Sequence, residues 1–230
     1  MEAFKRAIAN TPVLGPVVRS IYSYFARPQK AAFEGSTPYW EDRYRSGRDS
    51  GAGSYNRLAQ FKAEILNEFV ASHGVSSVVE FGCGDGAQLA LAKYRNFVGV
   101  DISRRAIELC RERFHGDATK AFYHRDDLPP DTTAELVISL DVIYHLVEDD
   151  VYEKYMRDLF SDSSKYVVIY SSDFEGEQNR PHVRHRQFTS WIDQNAPRYT
   201  LIEKVPNRYP YDERYPHKTS FSEFFVFELT

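Results

Sequence analysis

Short apolar runs alternate with amphipathic stretches along most of the chain. Near-continuous apolar segments such as 136–140 are typical of strands that are buried on both faces of a parallel sheet. The pattern predicts strands at 77–81, 97–101, 121–125, 135–140 and 166–172, with helices at 86–94, 103–114, 148–160 and 186–195. A last pair of strands, 201–205 and 223–228, ends the chain, and we expect the final strand to be antiparallel. These elements predict an α/β fold with helices on both faces of a mostly parallel sheet.

The first 74 residues do not follow this alternation. Apolar positions in 1–35 fall on one helical stripe flanked by basic residues, whereas the whole chain has a formal net charge of −4. Such a segment can lie on an anionic membrane surface or pack on the domain or a partner subunit, and the pattern leaves both open. Residues 36–74 read as a turn-rich, aromatic lid followed by a helix that ends near Gly74. The remaining domain is expected to cover 75–230.

Composition narrows the class of protein further. A chain of 230 residues with 42% hydrophobic content is long enough to bury one full core. The acidic balance gives no bulk attraction to nucleic acid. Two cysteines, Cys83 and Cys110, are too few for a disulfide framework, so we expect reduced thiols in a cytoplasmic protein. If residues 1–30 bind lipid, the protein would be peripheral on the inner membrane surface.

The first strand runs into a glycine-rich turn, Glu-Phe-Gly-Cys-Gly-Asp-Gly at 80–86. Glycine adopts positive φ without a Cβ clash, so backbone can approach a ligand closely there. The turn also aims the next helix N-terminus at whatever occupies it. Asp101 ends the second strand, where an acidic side chain can accept hydrogen bonds from ribose hydroxyls. Together these features predict an enzyme that uses a nucleoside cofactor.

This string resembles motif I of the class I S-adenosylmethionine (SAM) dependent methyltransferases. The resemblance implies a Rossmann-like seven-stranded sheet with an antiparallel last strand, and SAM as cofactor. Within the family pattern, Asp126 would accept from the adenine amino group and Asp127 would use its backbone amide, although both acids can also be solvated loop residues. The implied cofactor-binding residues are Glu80, Gly82, Cys83, Gly84, Gly86, Asp101, Ile102, Asp126, Asp127, Leu140 and Tyr39.

The segment after the fourth strand, Asp141–Leu146, resembles motif IV of small-molecule methyltransferases. A histidine has an ordinary pKa near 6.5, so His145 is suited to remove a proton from an acceptor hydroxyl. We predict His145 as general base, helped by Asp141; the alternative is that His145 only packs under the site. The expected substrate-binding residues are Tyr144, His182, Arg184 and His185. Three of these belong to the basic stretch 180–186, which suits an anionic group or is simply a solvated turn.

A metal site is a further alternative. Some sugar and catechol O-methyltransferases bind Mg²⁺ through acids after the fourth and fifth strands, and Asp141 and Asp173 occupy those places here. Phe174 follows Asp173 where a second acid or amide is usual, so Mg²⁺ is possible but not the expected cofactor.

The resulting functional hypothesis is O-methylation of a sugar, glycan or phosphorylated small molecule. The stretch 39–44 and the basic start resemble methyltransferases of polysaccharide or lipid-linked glycan assembly. Other acceptors (an amine, RNA or a protein) and a non-catalytic SAM-binding subunit stay open, although the low charge argues against RNA. Residues 1–30 are the expected contact with a membrane or partner, and the sequence specifies neither the acceptor nor the oligomeric state.

Overall fold

The computed structural model of the protein describes residues 33–177 and 180–230. The prediction of a basic amphipathic segment at 1–30 therefore lies outside the described residues. Seven strands form the main sheet: β1 (Ser77–Phe81), β2 (Asn96–Asp101), β3 (Lys120–His124), β4 (Ala134–Leu140), β5 (Ser163–Ser171), β8 (Tyr199–Val205) and β9 (Glu223–Leu229). A separate two-stranded antiparallel hairpin consists of β6 (Gly176–Glu177) and β7 (Arg184–His185).

The strand order in the main sheet is β3-β2-β1-β4-β5-β9-β8. The strands from β3 to β5 pair in parallel, and β9 is antiparallel to both of its neighbours, β5 and β8. The expected seven-stranded sheet with an antiparallel last strand is thereby confirmed. The order reverses between β1 and β4, so their carboxyl ends border the crevice where open α/β sheets bind ligands.

Five α-helices accompany the sheet within the described ranges: α1 (Ser36–Arg45), α2 (Asn56–Ser72), α3 (Arg104–Arg113), α4 (Asp149–Ser161) and α5 (Phe188–Asn195). Successive strand residues point to opposite faces, so Val78 packs in a core with α2 and α3, whereas Val79 packs in a core with α4 and α5. The sheet is therefore covered on both faces. None of the described helices is long and apolar enough to span a bilayer.

Two local predictions differ from the structure. The predicted helix at 86–94 is only a short 3₁₀ turn, Leu89–Leu91. Its backbone groups find partners outside a helix, because the Asn67 side chain donates to Leu91 O (3.0 Å) and accepts from Lys93 N (2.8 Å). The lid region, which the sequence predicted as turn-rich, begins instead with the helix α1.

Candidate active site

The glycine turn after β1 is held against the end of β2. Gly82 N and Cys83 N both donate to Val100 O, at 2.7 and 3.1 Å. Gly82, Gly84 and Gly86 all have positive φ. A Cβ at Gly84 would lie 2.4 Å from Ser50 Oγ, so no side chain fits there without displacing its neighbour. The turn thus brings bare backbone to the crevice beside β4, as the sequence predicts.

Asp101 faces this turn from the end of β2. Its two carboxylate oxygens accept from Gly84 N and Ser103 N, both at 2.9 Å. The side chain is 7% exposed, and burial raises its pKa to about 6, against the lowering effect of the backbone hydrogen bonds from Ser103, Gly84 and Ile102. Asp101 is therefore oriented by backbone and still borders the cavity.

A cavity of about 210 Å³ lies between the glycine turn, the end of β4 and helix α1. Nine predicted site residues line it: Glu80, Gly82, Cys83, Gly84, Asp101, Ile102, Leu140, Asp141 and His145. We refer to it as the cofactor cavity. It combines bare backbone, a ribose-type acceptor at Asp101, and apolar walls from Ile102, Leu140 and Val142.

The side chains of Glu80 and Lys62 line the cofactor cavity beside β1, and their charges influence each other. Burial raises the pKa of Glu80 to about 8, while Lys62 acts in the opposite direction. Among the described residues the Glu80 carboxyl has no hydrogen-bond donor, although it is only 3% exposed and borders the cavity. The positive charge of an α-ammonium group would favour the ionised form of this carboxyl, so the residues present fit the amino-acid part of SAM as well as its ribose.

Lys62 is a site residue that sequence reasoning missed. It lies on α2, is completely buried, and donates from Nζ to Asp141 Oδ2 at 2.8 Å. The other carboxylate oxygen of Asp141 accepts from Tyr144 Oη (3.1 Å) and Ser222 Oγ (2.8 Å). A lone lysine among the apolar positions of α2 was the signal that could have identified it.

Asp141 itself adopts a left-handed backbone conformation, with φ of 60°. This conformation is uncommon outside glycine, asparagine and aspartate. The three donors described above all bind its carboxylate, and none of its hydrogen bonds goes to His145. The sequence predicts Asp141 as a helper of His145; the observed contacts instead tie the end of β4 to α2 and to the segment before β9.

Helix α1 covers the cofactor cavity. Trp40 and Tyr44 of this helix line it, and Glu41 accepts from Ser103 Oγ at 2.6 Å. At the start of the helix, Ser36 donates to Glu148 from both its backbone and its hydroxyl. The lid is therefore fastened at several points to the turns that follow β2 and β4.

The loop that follows α1 is fastened by Asp85 of the glycine turn. Asp85 accepts from Tyr55 Oη at 2.6 Å, from Ser50 N at 3.2 Å and from Ala87 N at 3.0 Å. Burial opposes the charged form, but the hydrogen bonds from Tyr55, Ala87 and Ser50 outweigh it and lower the pKa of Asp85. The ionised carboxylate of Asp85 thus connects the glycine turn with residues 46–55.

A second cavity of about 310 Å³ adjoins the first, and we refer to it as the acceptor cavity. Trp40, Asp141 and His145 border both cavities. The predicted substrate residues Tyr144, His182 and His185 line the acceptor cavity, and so does Tyr39, which was predicted at the cofactor. Tyr39 stacks on His182 with ring centroids 4.3 Å apart.

His145 lies at the boundary of the two cavities with a defined orientation. Its Nδ1 is 2.9 Å from the carbonyl oxygen of His182, which can only accept, so Nδ1 carries the hydrogen. Burial lowers the pKa of His145 to about 4, against the raising effects of the His182 carbonyl and Asp141. The imidazole is therefore neutral near pH 7, and its Nε2 keeps a lone pair.

Four of the predicted site residues line neither cavity. Asp126 is solvated, with its side chain 79% exposed, and Asp127 pairs with Arg104 at 2.9 Å. A Cβ on Gly86 would meet the ring of Phe114 at 2.9 Å, so this glycine serves packing against α3. The side chains of Asp126 and Asp127 are exposed here, and adenine binding by Asp126 and by the backbone amide of Asp127 stays a prediction.

Arg184 is the fourth of these residues. It forms an ion pair with Asp149 at 2.8 Å and donates to Val147 O, as does the more buried Arg186. These two arginines of the basic stretch fasten hairpin β6–β7 to the start of α4. Both guanidinium groups are bound by residues of the protein itself. The sequence pattern could not distinguish such bound arginines from a basic patch that is open to a ligand.

Asp141 and Asp173, the two acids predicted as alternative Mg²⁺ ligands, bind different partners within the protein. Asp173 accepts from Thr189 N (3.1 Å) and Thr189 Oγ1 (2.7 Å) at the start of α5, while Asp141 pairs with Lys62. In residues 33–177 and 180–230, no three His, Cys, Asp or Glu side chains are grouped so that they could hold a metal ion.

Known proteins share the fold of this chain. A family model described as a methyltransferase domain matches residues 52–210. The N-methyltransferase NodS from Bradyrhizobium japonicum, in complex with S-adenosyl-L-homocysteine (SAH), is similar in structure at 16% identity, covering 85% of this chain and 99% of that chain with a TM-score of 0.66. No curated protein sequence matches the chain.

Two further solved structures share the fold. Magnesium protoporphyrin IX methyltransferase from Synechocystis PCC 6803 with bound SAM is 15% identical, covers 88% of this chain and 100% of that chain, and has a TM-score of 0.60. The methyltransferase domain of bacterial CtHen1 is 18% identical, covers 75% of this chain and 100% of that chain, and has a TM-score of 0.59. At these identities the likeness concerns the fold.

Proposed function

Since the chain belongs to the class I SAM-dependent methyltransferases, we propose that it methylates a hydroxyl group of a sugar, glycan or phosphorylated small molecule. The observation that carries this proposal is the position and protonation of His145, which borders both cavities with an unprotonated Nε2.

The cofactor cavity offers a partner for each part of SAM. Asp101 would accept from the ribose hydroxyls, and Glu80 would bind the α-ammonium group. Gly82 and Gly84 would allow the main chain to approach the amino-acid tail, and Ile102 with Leu140 would enclose the base. When bound, SAM supplies a methyl group on a positively charged sulfur, ready for displacement by a nucleophile.

His145 is proposed to take the proton from the acceptor hydroxyl. A hydroxyl is a weak nucleophile while it holds its proton, and a positioned base contributes roughly 10²–10⁴-fold to such a step. The His182 carbonyl accepts the Nδ1 hydrogen of His145, which fixes the ring and would stabilise the imidazolium formed on proton transfer. The low pKa keeps the ring unprotonated at neutral pH, and it also makes His145 a weaker base than an ordinary histidine.

The lining of the acceptor cavity supports a polar, ring-shaped acceptor. Its walls are aromatic and hydroxyl-bearing, and its only acidic lining residue, among those described, is Asp141, which Lys62 neutralises. Aromatic faces suit the apolar face of a sugar or planar ring, and the surrounding basic side chains suit an anionic substituent.

The proposal is tested by replacing His145 with alanine. We expect turnover to fall at least about a hundredfold, and SAH affinity to stay unchanged, because the replaced ring is proposed to act on the acceptor. Labelled methyl transfer is measured against pools of glycans, nucleotide-sugars and sugar phosphates, and SAH binding by isothermal titration. His115→Ala serves as a matched control, since His115 is exposed and lines neither cavity. Near-normal turnover of His145→Ala would remove His145 as the base.

A further inference from the structure

The segment 206–222, between β8 and β9, forms one wall of the acceptor cavity. Within it the rings of Tyr211 and Phe221 stack on each other, with centroids 3.9 Å apart and planes 19° apart. Both rings border the cavity, yet Tyr211 is 42% exposed and Phe221 is 38% exposed. We call this pair the aromatic platform. Two large rings that remain open to solvent at a cavity mouth are available to a ligand.

The platform is connected to His145 by a row of ring contacts. Phe221 meets His185 at 5.5 Å, His185 meets Tyr144 at 5.9 Å, and Tyr144 meets His145 at 4.5 Å, as centroid distances. A ligand ring that lies on the platform would therefore extend along this row towards the boundary with the cofactor cavity. The platform and the proposed base thus belong to one binding surface.

The wall that carries the platform is held in place by internal hydrogen bonds. Asn207 Nδ2 donates to Tyr170 Oη (2.8 Å) and Ser222 O (2.9 Å), and Ser222 Oγ donates to Asp141. Across the loop, Asp212 N donates to Thr219 Oγ1 at 3.1 Å. A wall that is already ordered loses less entropy when a ligand binds.

Positive charge without an internal partner lies on the same cavity. Arg180 lines it, and its side chain has no hydrogen bond or ion pair with any residue in the described part of the chain. Arg43 also lines the cavity, but Asp49 accepts from its guanidinium. A guanidinium that no internal acid satisfies is suited to bind phosphate or carboxylate through paired hydrogen bonds.

We propose that Tyr211, Phe221 and Arg180 form a ring-and-anion subsite for the methyl acceptor. The ring of the acceptor lies on the aromatic platform, and its phosphate or carboxylate is bound by Arg180. This inference deepens the proposed function and rests on it for the statement that the occupant of this cavity is the methyl acceptor. The recognised chemistry is a small molecule with an apolar ring face and an attached anion; the ring is either a pyranose or an aromatic ring.

The test measures binding without turnover, using protein saturated with SAH. Isothermal titration compares three ring anions (glucose 1-phosphate, glucuronate and phenyl phosphate) with uncharged glucose and with inorganic phosphate. We expect at least one ring anion to bind about tenfold or more tightly than glucose and inorganic phosphate, because only the ring anions engage both elements. A preference for phenyl phosphate would identify an aromatic ring, and a preference for glucose 1-phosphate or glucuronate would identify a sugar.

Substitutions separate the two elements of the subsite. Tyr211→Ala and Phe221→Ala should each weaken the preferred ring anion about three- to tenfold and leave inorganic phosphate unchanged. Arg180→Gln should weaken every anion about tenfold or more, and added salt should reduce the wild-type affinity. Unchanged phosphate binding in the tyrosine and phenylalanine variants also shows that they are folded.

Matched controls come from the same chain. Tyr215 lies in the same loop and is 54% exposed but does not line the cavity, so Tyr215→Ala should bind like wild type. Arg198→Gln removes an exposed arginine away from both cavities. The subsite is wrong if no ring anion binds, or if Tyr211→Ala and Arg180→Gln bind as the controls do. Failure of His145→Ala to lose turnover would overturn the proposed base and leave these binding results standing.

Discussion

Replacing Lys62 with methionine should destabilise the protein strongly. The lysine side chain is fully buried, and its ammonium forms an ion pair with Asp141 at 2.8 Å and lies 5.4 Å from the centre of the Tyr170 ring. Methionine has a similar length without the charge, so packing is largely kept and Asp141 is left without its counter-charge. Removing one partner of a buried pair costs about 3–5 kcal/mol. Because Tyr144 and Ser222 still donate to Asp141, we expect the lower end, about 3 kcal/mol.

The free energy of unfolding is measured in urea, with tryptophan fluorescence as the readout. The chain has two tryptophans, Trp40 in the lid and Trp191 in the core beside α4, so both parts are reported. The unfolding midpoint should fall while the slope stays constant. The double variant Lys62→Met with Asp141→Asn removes both charges and should be more stable than the single variant. A loss below about 1 kcal/mol, or no recovery in the double variant, would refute the buried-pair account.

Three further predictions concern pH and the glycine turn. Burial keeps His145 neutral, with a pKa of about 4. Turnover should therefore not fall as the pH drops through 6.5, the ordinary pKa of histidine. A fall in turnover near pH 6.5 that disappears in His145→Gln would contradict this expectation. SAH affinity should fall as the pH drops below about 6, where Asp101 becomes protonated and can no longer accept from both ribose hydroxyls; titration at several pH values, with Asp101→Asn insensitive to pH, checks it. Gly84→Ala should greatly weaken SAH binding through its 2.4 Å approach to Ser50, whereas Gly74→Ala, with φ of +62° but open space, should cost only about 1–2 kcal/mol of stability and leave SAH affinity intact.

The sequence predicted the cofactor side of the site because that side is built from local patterns. Apolar periodicity located the strands to within a few residues, and the carboxyl ends of β1, β2 and β4 necessarily meet at the edge where the sheet order reverses. The glycine turn and Asp101 could thus be placed together from their positions alone. Position alone did not place the acids that follow β3, because the side chains of Asp126 and Asp127 are exposed to solvent.

What the sequence could not predict depends on contacts between distant segments. Lys62 pairs with Asp141 across 79 positions, and no local pattern specifies a partner for a lone buried lysine. The missing helix after the glycine turn has a similar cause, because Asn67 of α2 binds the backbone that a helix would have satisfied internally. In this second case intrinsic helix propensity is overridden by tertiary hydrogen bonds.

The two cavities are formed by different parts of the fold. The cofactor cavity is formed by the sheet edge, which the fold itself constrains, whereas most of the acceptor cavity is lined by α1, residues 50–54, residues 180–185 and the segment 206–222. The parts that carry Tyr211, Phe221 and Arg180 lie outside the parallel sheet, and the fold places few demands on these exposed side chains. Substitutions there can alter acceptor choice at little cost to stability, because exposed positions usually change stability by about 0.5 kcal/mol or less. Acceptor specificity and SAM binding should therefore respond to largely separate sets of substitutions, because only five described residues line both cavities: Trp40, Ser50, Ser54, Asp141 and His145.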